Sequence, residues 1–329
     1  MSALDLPTLD LSETDLNVLG QQFRTAGETT GFMQIVNHGV PPELMSRAFD
    51  QAEKFFKLPL EEKVRLARDP ETSRGYLMIG SQALEGSLGK GHEGAHILEK
   101  AQEAMKSGDQ KEGFTITRDT PRDHKNYHRR AHGENQMPRE EQVPGLRTLG
   151  EDYTNAMFDL QGRMMRIVAA SLGADPDKGF GTDVLRDAII YWRFLHYPPT
   201  KEVKVTGAGA HTDFGFTTLL ATHGVPGLEV YYAGAWHIVK PEEGSFIVNI
   251  GDCLSRLSGG QYKSSLHRVM NTSGLARYSI PCFLEGNPDF VVRPLNAPED
   301  SSERFPTVED LLIERQRTTF PQQPAILAL

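Results

Sequence analysis

The 329-residue sequence predicts a mainly β protein with helical flanks and a double-stranded β-helix (jelly-roll) core. Three observations carry that reading. From about residue 184, eight short segments are rich in β-branched and aromatic residues: "AIIYWRFLHYPP", "GFTTLLATH", "GLEVYYAG", "AWHIVKP", "SFIVNIGD", "SLHRVMN", "ARYSIPCFLE" and "FVVRPL". Gly, Pro and Asn separate them at intervals of about ten residues, the rhythm of an antiparallel sandwich or barrel. Helical spacing of apolar residues dominates on either side of this run.

The elements follow in order. "SETDLNVLGQQFRTAGETTG" (12–31) opens on Ser, Thr and Asp cap candidates and spaces Leu16, Leu19, Phe23 and Ala26 as one helical face. "GFMQIVNHGV" (31–40) is short, apolar and bounded by glycine, as a buried strand is. "PPELMSRAFDQAEKFFKLP" then starts a helix with proline and aligns Leu44, Ala48 and Ala52. Residues 69–147 carry the weakest periodicity. Within them "EGSLGKGHEG" lacks the phosphate-loop spacing and reads as a flexible loop. A long helix comes next, with Leu149, Tyr153, Met157, Leu160, Met164 and Ile167 as a core stripe. "TVEDLLIERQRTTF" makes a closing helix. The divisions are an N-terminal region 1–147, a supporting helix 148–183, a jelly-roll core 184–295 and a tail 296–329.

Composition narrows the function classes. An apolar fraction of 38% and a charged fraction of 24% suit a globular protein. A net charge of -9 argues against nucleic acid as partner. The one basic cluster, Arg122 to His132, lies among Asp and Glu and reads as solvated surface. Cys253 and Cys282 form neither a disulfide framework nor a zinc spacing, so both read as buried free thiols. No segment has the length of a membrane span, and the acidic N-terminus does not resemble a signal peptide. A cytoplasmic location is the expectation; oligomeric state is left open.

"GAHTDFGFTTLLAT" places His211 and Asp213 two apart at the edge of an apolar strand. Both are metal-ligand types, and alternate residues share one face. His267 lies on a later strand segment. Two imidazoles and one carboxylate make the facial triad favoured by non-haem Fe(II), with three adjacent positions left open. Ten residues further on, "RYS" sets Arg277 and Ser279 two apart. An inward guanidinium requires an anion, since an unpaired buried charge is costly, and Arg binds carboxylate bidentately.

Together these residues resemble the isopenicillin N synthase-like branch of the Fe(II)/2-oxoglutarate-dependent dioxygenases. The H-T-D of 211–213, His267 and R-Y-S of 277–279 fall in family order with "GFMQIVNHGVP", "RGYL", "HYPP", "FIVNIGD" and "GGQYKSSLHRV". The likeness runs from about residue 5 to 295. It implies that His211, Asp213 and His267 are the iron ligands and act as the catalytic centre. Arg277 and Ser279 would hold the distal carboxylate of 2-oxoglutarate, assisted by Tyr197. Fe(II), 2-oxoglutarate and O2 are then required, with ascorbate as a stimulant. Oxidative decarboxylation would yield succinate and a ferryl species that abstracts hydrogen from a small organic substrate, giving hydroxylation, desaturation or ring rearrangement. The family often has Asn two residues before this Tyr; here the position is Leu195. Two relatives, isopenicillin N synthase and the plant ethylene-forming oxidase, keep an R-x-S without using 2-oxoglutarate. An oxidase of that type and a non-catalytic ligand-binding jelly roll remain as alternatives.

Strand parity extends the site. If Tyr197 points inward, so do Leu195, Arg193 and Tyr191. Arg193 is then a candidate for an anionic or phenolic substrate oxygen, or else a rim residue paired with a carboxylate. Phe214 beside Asp213, and Phe283 in phase with Arg277, are candidate aromatic walls; packing is the alternative for both. By the resemblance, Phe283 and Glu285 match positions that contact aromatic substrates. A planar, oxygenated aromatic or polyketide-like substrate of secondary metabolism is the expectation. Among other histidines, His92 and His96 read as loop residues, His38 as structural, and His237 as lying on a strand outside the metal site.

Overall fold

A computed structural model of the chain describes residues 2–82, 109–199, 205–298, 300 and 302–319. Its strands form two sheets. The smaller runs β1 (Ala3–Leu4), β10 (Ala235–Val239), β9 (Leu228–Tyr232), β12 (His267–Asn271), β7 (Val205–His211). The larger runs β2 (Thr8–Asp10), β3 (Phe32–Val36), β11 (Phe246–Ile250), β8 (Thr217–Thr222), β13 (Arg277–Gly286), β6 (Ile189–Tyr197), β5 (Glu112–Thr117), β4 (Gly75–Leu77). Pairing is antiparallel except for β1 on β10 and β2 on β3. This is the jelly roll that the strand rhythm predicts. Phe32 and Ile247 of one sheet pack with Ala208, Val230 and Val269 of the other, so an apolar layer joins the two.

The helices are α1 (Leu16–Thr29), α2 (Pro42–Phe56), α3 (Leu60–Val64), α4 (Leu146–Ser171), α5 (Phe180–Asp183), α6 (Asp252–Leu257) and α7 (Val308–Thr319). Asp15 caps α1 through the backbone N–H of Asn17 at 2.8 Å. The whole predicted stripe of α4, Leu149 to Ile167, is buried. That helix covers the outer face of the larger sheet. Trp192 Nε1 donates to Thr154 Oγ1 at 2.9 Å, and Thr217 Oγ1 donates to Gln161 Oε1 at 2.7 Å. Alternation then decides the site. On β6, Trp192 and Phe194 enter the core under α4, while Tyr191, Arg193, Leu195 and Tyr197 face the cavity between the sheets.

The sequence reading differs from the structure in two places. "FVVRPL" forms no strand; Val291 makes only an isolated bridge to Thr307. The eighth core strand is instead β7, "VTGAGAH", whose small residues gave it no β signature. Tyr197 requires one of them to be small: a Cβ on Gly207 would sit 2.5 Å from Tyr197 Cδ1. Within the weakly periodic 69–147 stretch, β5 pairs along β6 from Glu112↔His196 to Thr117↔Tyr191 and extends the larger sheet. "EGSLGKGHEG", with His92 and His96, lies outside the described residues. Cys253 and Cys282 are buried and free. Among the described residues no helix is long and apolar enough to cross a membrane.

Candidate metal and cosubstrate site

The pairing of β7 with β12 sets His211 directly across from His267, with ring centroids 4.2 Å apart. Asp213 follows two residues later, beyond the end of β7. Its Oδ1 lies 3.7 Å from each Nε2. Two ligand atoms bound at about 2.1 Å to one ion can span such a separation. Among the described residues, these three are the His, Cys, Asp or Glu cluster able to share an ion.

The remaining polar atoms of the triad are already engaged. His211 Nδ1 lies 2.7 Å from the Gly209 carbonyl, and His267 Nδ1 lies 3.1 Å from that of Ser265. A carbonyl can only accept, so each Nδ1 carries the proton and each Nε2 keeps its lone pair for a metal. Thr218 Oγ1 and Asn249 Nδ2 donate to Asp213 Oδ2 at 2.5 and 2.8 Å, leaving Oδ1 for the centre. The Asp252 N–H holds the Asp213 carbonyl at 2.8 Å, which fixes the loop. Burial pushes the Asp213 carboxyl up, but His267, His211 and the two donors outweigh it and hold it below its ordinary value. Burial, reinforced by His267, pushes His211 well down, so its imidazole is neutral. Neutral imidazoles and a carboxylate are the ligand forms a divalent ion needs.

Arg277 lies across from Tyr197 on β6 and is 1% exposed. One of its terminal nitrogens donates to Ser279 Oγ at 3.1 Å, and its guanidinium stacks 4.8 Å from the Tyr197 ring centre. Nε has no hydrogen-bond partner, and no carboxylate among the described residues forms an ion pair with the side chain. An isolated buried cation costs several kcal/mol, about 3–5 by the removal of one partner from a buried pair. A dicarboxylic cosubstrate would supply such an anion, and the chemistry of Arg277, Ser279 and Tyr197 fits that of 2-oxoglutarate. Leu195 contributes only apolar wall here.

The same cavity, of ≈ 150 Å³, contains all the other predicted residues: Arg193, Phe214, Phe283 and Glu285. Tyr191 and Phe283 face each other with centroids 5.1 Å apart. Burial pushes the Glu285 carboxyl up to about 7 against the pull of the Tyr191 hydroxyl. Arg193 is buried, its Nε donates to Thr115 Oγ1 at 2.9 Å, and it forms no ion pair with a carboxylate among the described residues.

Several contributors escape sequence reading. Asn249 and Thr218 sit in segments read as strand, where Asn249 is the one polar residue of "FIVNI" but nothing in the sequence says which residue it faces. Arg68 reaches the cavity from the loop after α3, Ser73 and Lys111 from the weakly periodic region, and Leu312 and Arg315 from α7. His38 is structural, taking the Val40 N–H on Nδ1 and bonding the Gly244 carbonyl through Nε2 at 2.8 Å. His237 lies on β10, bonded to Ser2 and Tyr232 and away from the triad. Only part of the basic cluster is solvated surface: Arg122 pairs with Glu134 and Lys125 with Asp187 in the open, but Arg129 is half-buried against Asp289 and Glu309, and Asn126 and His132 are buried.

Jelly roll and triad together define a non-haem iron oxygenase. Residues 6–140 match the non-haem dioxygenase in morphine synthesis N-terminal family, and residues 187–286 match the 2OG-Fe(II) oxygenase superfamily. The chain is 36% identical over 310 residues to the 2-oxoglutarate-Fe(II) type oxidoreductase hxnY of Emericella nidulans, covering 89% of this chain and 82% of that protein. It is also 36% identical over 315 residues to clavatol oxidase claD of Penicillium crustosum, covering 91% and 90%. Among solved structures, a full-length Neurospora crassa protein in complex with alpha-KG superposes with a TM-score of 0.79 at 25% identity, over 95% of this chain and 96% of that one. A 2OG-Fe(II) oxygenase family protein from Caulobacter crescentus superposes with a TM-score of 0.78 at 28% identity, over 96% and 99%. This chain belongs to the 2OG-Fe(II) oxygenase superfamily. It is a 2-oxoglutarate-dependent oxygenase of small molecules, and its cofactor and cosubstrate are Fe(II) and 2-oxoglutarate.

Proposed function

We propose that His211, Asp213 and His267 hold the iron, while Arg277 and Ser279, with Tyr197 packed beside them, take the far carboxylate of 2-oxoglutarate. The observation that carries this is the convergence of two Nε2 atoms and Oδ1 in a cavity shared with a fully buried guanidinium that has no carboxylate partner among the described residues. Iron, 2-oxoglutarate and oxygen, when bound, supply the oxidising power that removes hydrogen from a C–H bond. The chain supplies placement. The Gly209 and Ser265 carbonyls fix both imidazoles, Thr218 and Asn249 fix the carboxylate, and the two sheets exclude water. Arg193, Phe214, Phe283 and Glu285 orient a planar, oxygenated substrate so that one C–H bond faces the metal. Which C–H bonds lie within reach decides between hydroxylation, desaturation and rearrangement. An aromatic or polyketide-like substrate of secondary metabolism is our reading, supported by the aromatic walls Phe214 and Phe283 and by a relative named for its action on clavatol. Two buried free thiols suit a reducing compartment, and the cytoplasm is our assignment.

Anaerobic absorption spectroscopy tests the site. Fe(II) protein with 2-oxoglutarate should show a weak visible charge-transfer band that His211→Ala abolishes. Arg277→Leu should need about a hundredfold more 2-oxoglutarate to reach the same band, the cost of removing one partner from a buried charge pair. A His211→Ala protein that keeps both its iron and the band would refute the assignment.

A further inference from the structure

The substrate half of the cavity is built around a second buried cation, distinct from Arg277. Arg193 is 8% exposed on β6, and the strand next to it is adapted to its presence. Gly113 of β5 gives it room: a Cβ there would lie 3.0 Å from Arg193 Cδ. Thr115, directly across from Arg193 in the β5–β6 register, anchors Nε at 2.9 Å. The guanidinium carbon lies 5.7 Å from the Tyr191 ring centre and 6.0 Å from that of Phe283. No carboxylate among the described residues forms an ion pair with it.

Arg68 lines the same cavity from the loop after α3 and is likewise 8% exposed. One of its terminal nitrogens donates to Ser73 Oγ at 2.8 Å. Burial, then repulsion from Arg193, lowers its guanidinium to about 10, so it stays charged at neutral pH. Among the described residues, opposing negative charge near Arg193 is scarce. Asp213 belongs to the triad, and burial raises the Glu285 carboxyl into the neutral range, with no hydrogen-bond partner for Oε2 among the described residues. A second guanidinium on the same cavity adds positive potential there, which favours an anion beside Arg193.

Resting on the oxygenase reading above, we propose that the substrate is an organic acid whose carboxylate binds Arg193, with Arg68 adding positive potential from the opposite chain segment. Phe214 and Phe283 clasp the flat portion, and Glu285 meets a hydroxyl or carbonyl at its other edge. Neutral aromatics of the same shape leave Arg193 uncompensated and bind weakly.

The test uses the full-length Fe(II) protein with 2-oxoglutarate, held anaerobic, and titrates matched pairs of compounds: 2,4-dihydroxybenzoate, 4-hydroxyphenylacetate and 4-hydroxycinnamate, each beside its methyl ester. Binding is read as a shift of the charge-transfer band, and coupling as succinate release above the substrate-free rate once oxygen is admitted. At least one acid should shift the band, with its ester about tenfold weaker or worse. Arg193→Met should weaken that acid about 30-fold and its ester far less, and Arg193→Lys should recover part of the loss. Arg68→Met should weaken the acid in the same direction. Esters binding as well as acids, no acid shifting an otherwise normal band, or Arg193→Met weakening acid and ester equally would each overturn the proposal. Absence of the band in the unaltered protein would instead overturn the iron and cosubstrate assignment, and this inference with it.

Discussion

Asp213 shows what a single side chain requires from its neighbours. One oxygen faces the two imidazoles, and the other takes hydrogen bonds from Thr218 and Asn249. Removing a donor frees the carboxylate to rotate, and partners of this kind are worth about 10–100-fold in metal affinity. Asn249→Ala should therefore weaken Fe(II) or Co(II) binding by about that factor while the fold stays intact, as followed by metal titration and circular dichroism. Unchanged affinity would mean that Thr218 alone orients the group. The three residues of the cluster were legible because metal-binding residue types interrupt an apolar strand, and the motif resemblance proposes their roles. Asn249 and Thr218 were not, since nothing in a linear sequence says which wall residue faces a particular carboxylate.

At the scale of elements, helical and strand periodicity located α1, α2, α4, α7 and most of the core strands. It failed where neighbours, rather than a strand's own side chains, decide its composition. Gly207 in β7 accommodates Tyr197, and β5 carries Gly113 and Thr115 to suit Arg193. Strand β5 is also fixed by a charge. Glu112 accepts from Lys63 after α2 at 2.7 Å, Tyr76 of β4 at 2.5 Å and His196 of β6 at 2.8 Å. Burial raises its carboxyl, but His196, Lys63 and Tyr76 together bring it below its ordinary value near 4.5. Glu112→Ala leaves Lys63 buried without its counter-ion, at a cost of about 3–5 kcal/mol, or a Tm lower by roughly 6–10 °C. Because the folded carboxyl ionises more readily than the unfolded one, its contribution is complete above 4.5 and is lost as pH falls through the lower folded value. The Tm gap between the two proteins should thus be widest near neutrality and close in acid. A gap that grows on acidification would contradict this role for Glu112.

For the whole molecule, the cavity is closed by parts of the chain far apart in sequence. The N-terminal region brings Arg68, the central sheets bring the triad and Arg193, and α7 brings Leu312 and Arg315. Only the central part had a pattern that announced its purpose; the closing parts acquire one only after folding. Helix α7 is tied down near its start and at its middle. Glu309 takes Arg129 at 2.8 Å, and Arg315 donates to the Thr212 carbonyl between His211 and Asp213 and stands 4.0 Å from Asp252. Its described side chains supply none of the converging metal-binding atoms, while Leu312 and Arg315 line the cavity, so we infer that it closes the substrate side. Ending the chain at Phe305 should consequently preserve circular dichroism and the anaerobic band with Fe(II) and 2-oxoglutarate. Succinate release should then no longer rise when substrate is added, because water enters where Leu312 packed. The gentler variant Leu312→Glu should move in the same direction without shortening the chain. If the truncated protein loses its iron while substrate stimulation survives in Leu312→Glu, α7 supports the metal loop through Arg315 rather than sealing the cavity.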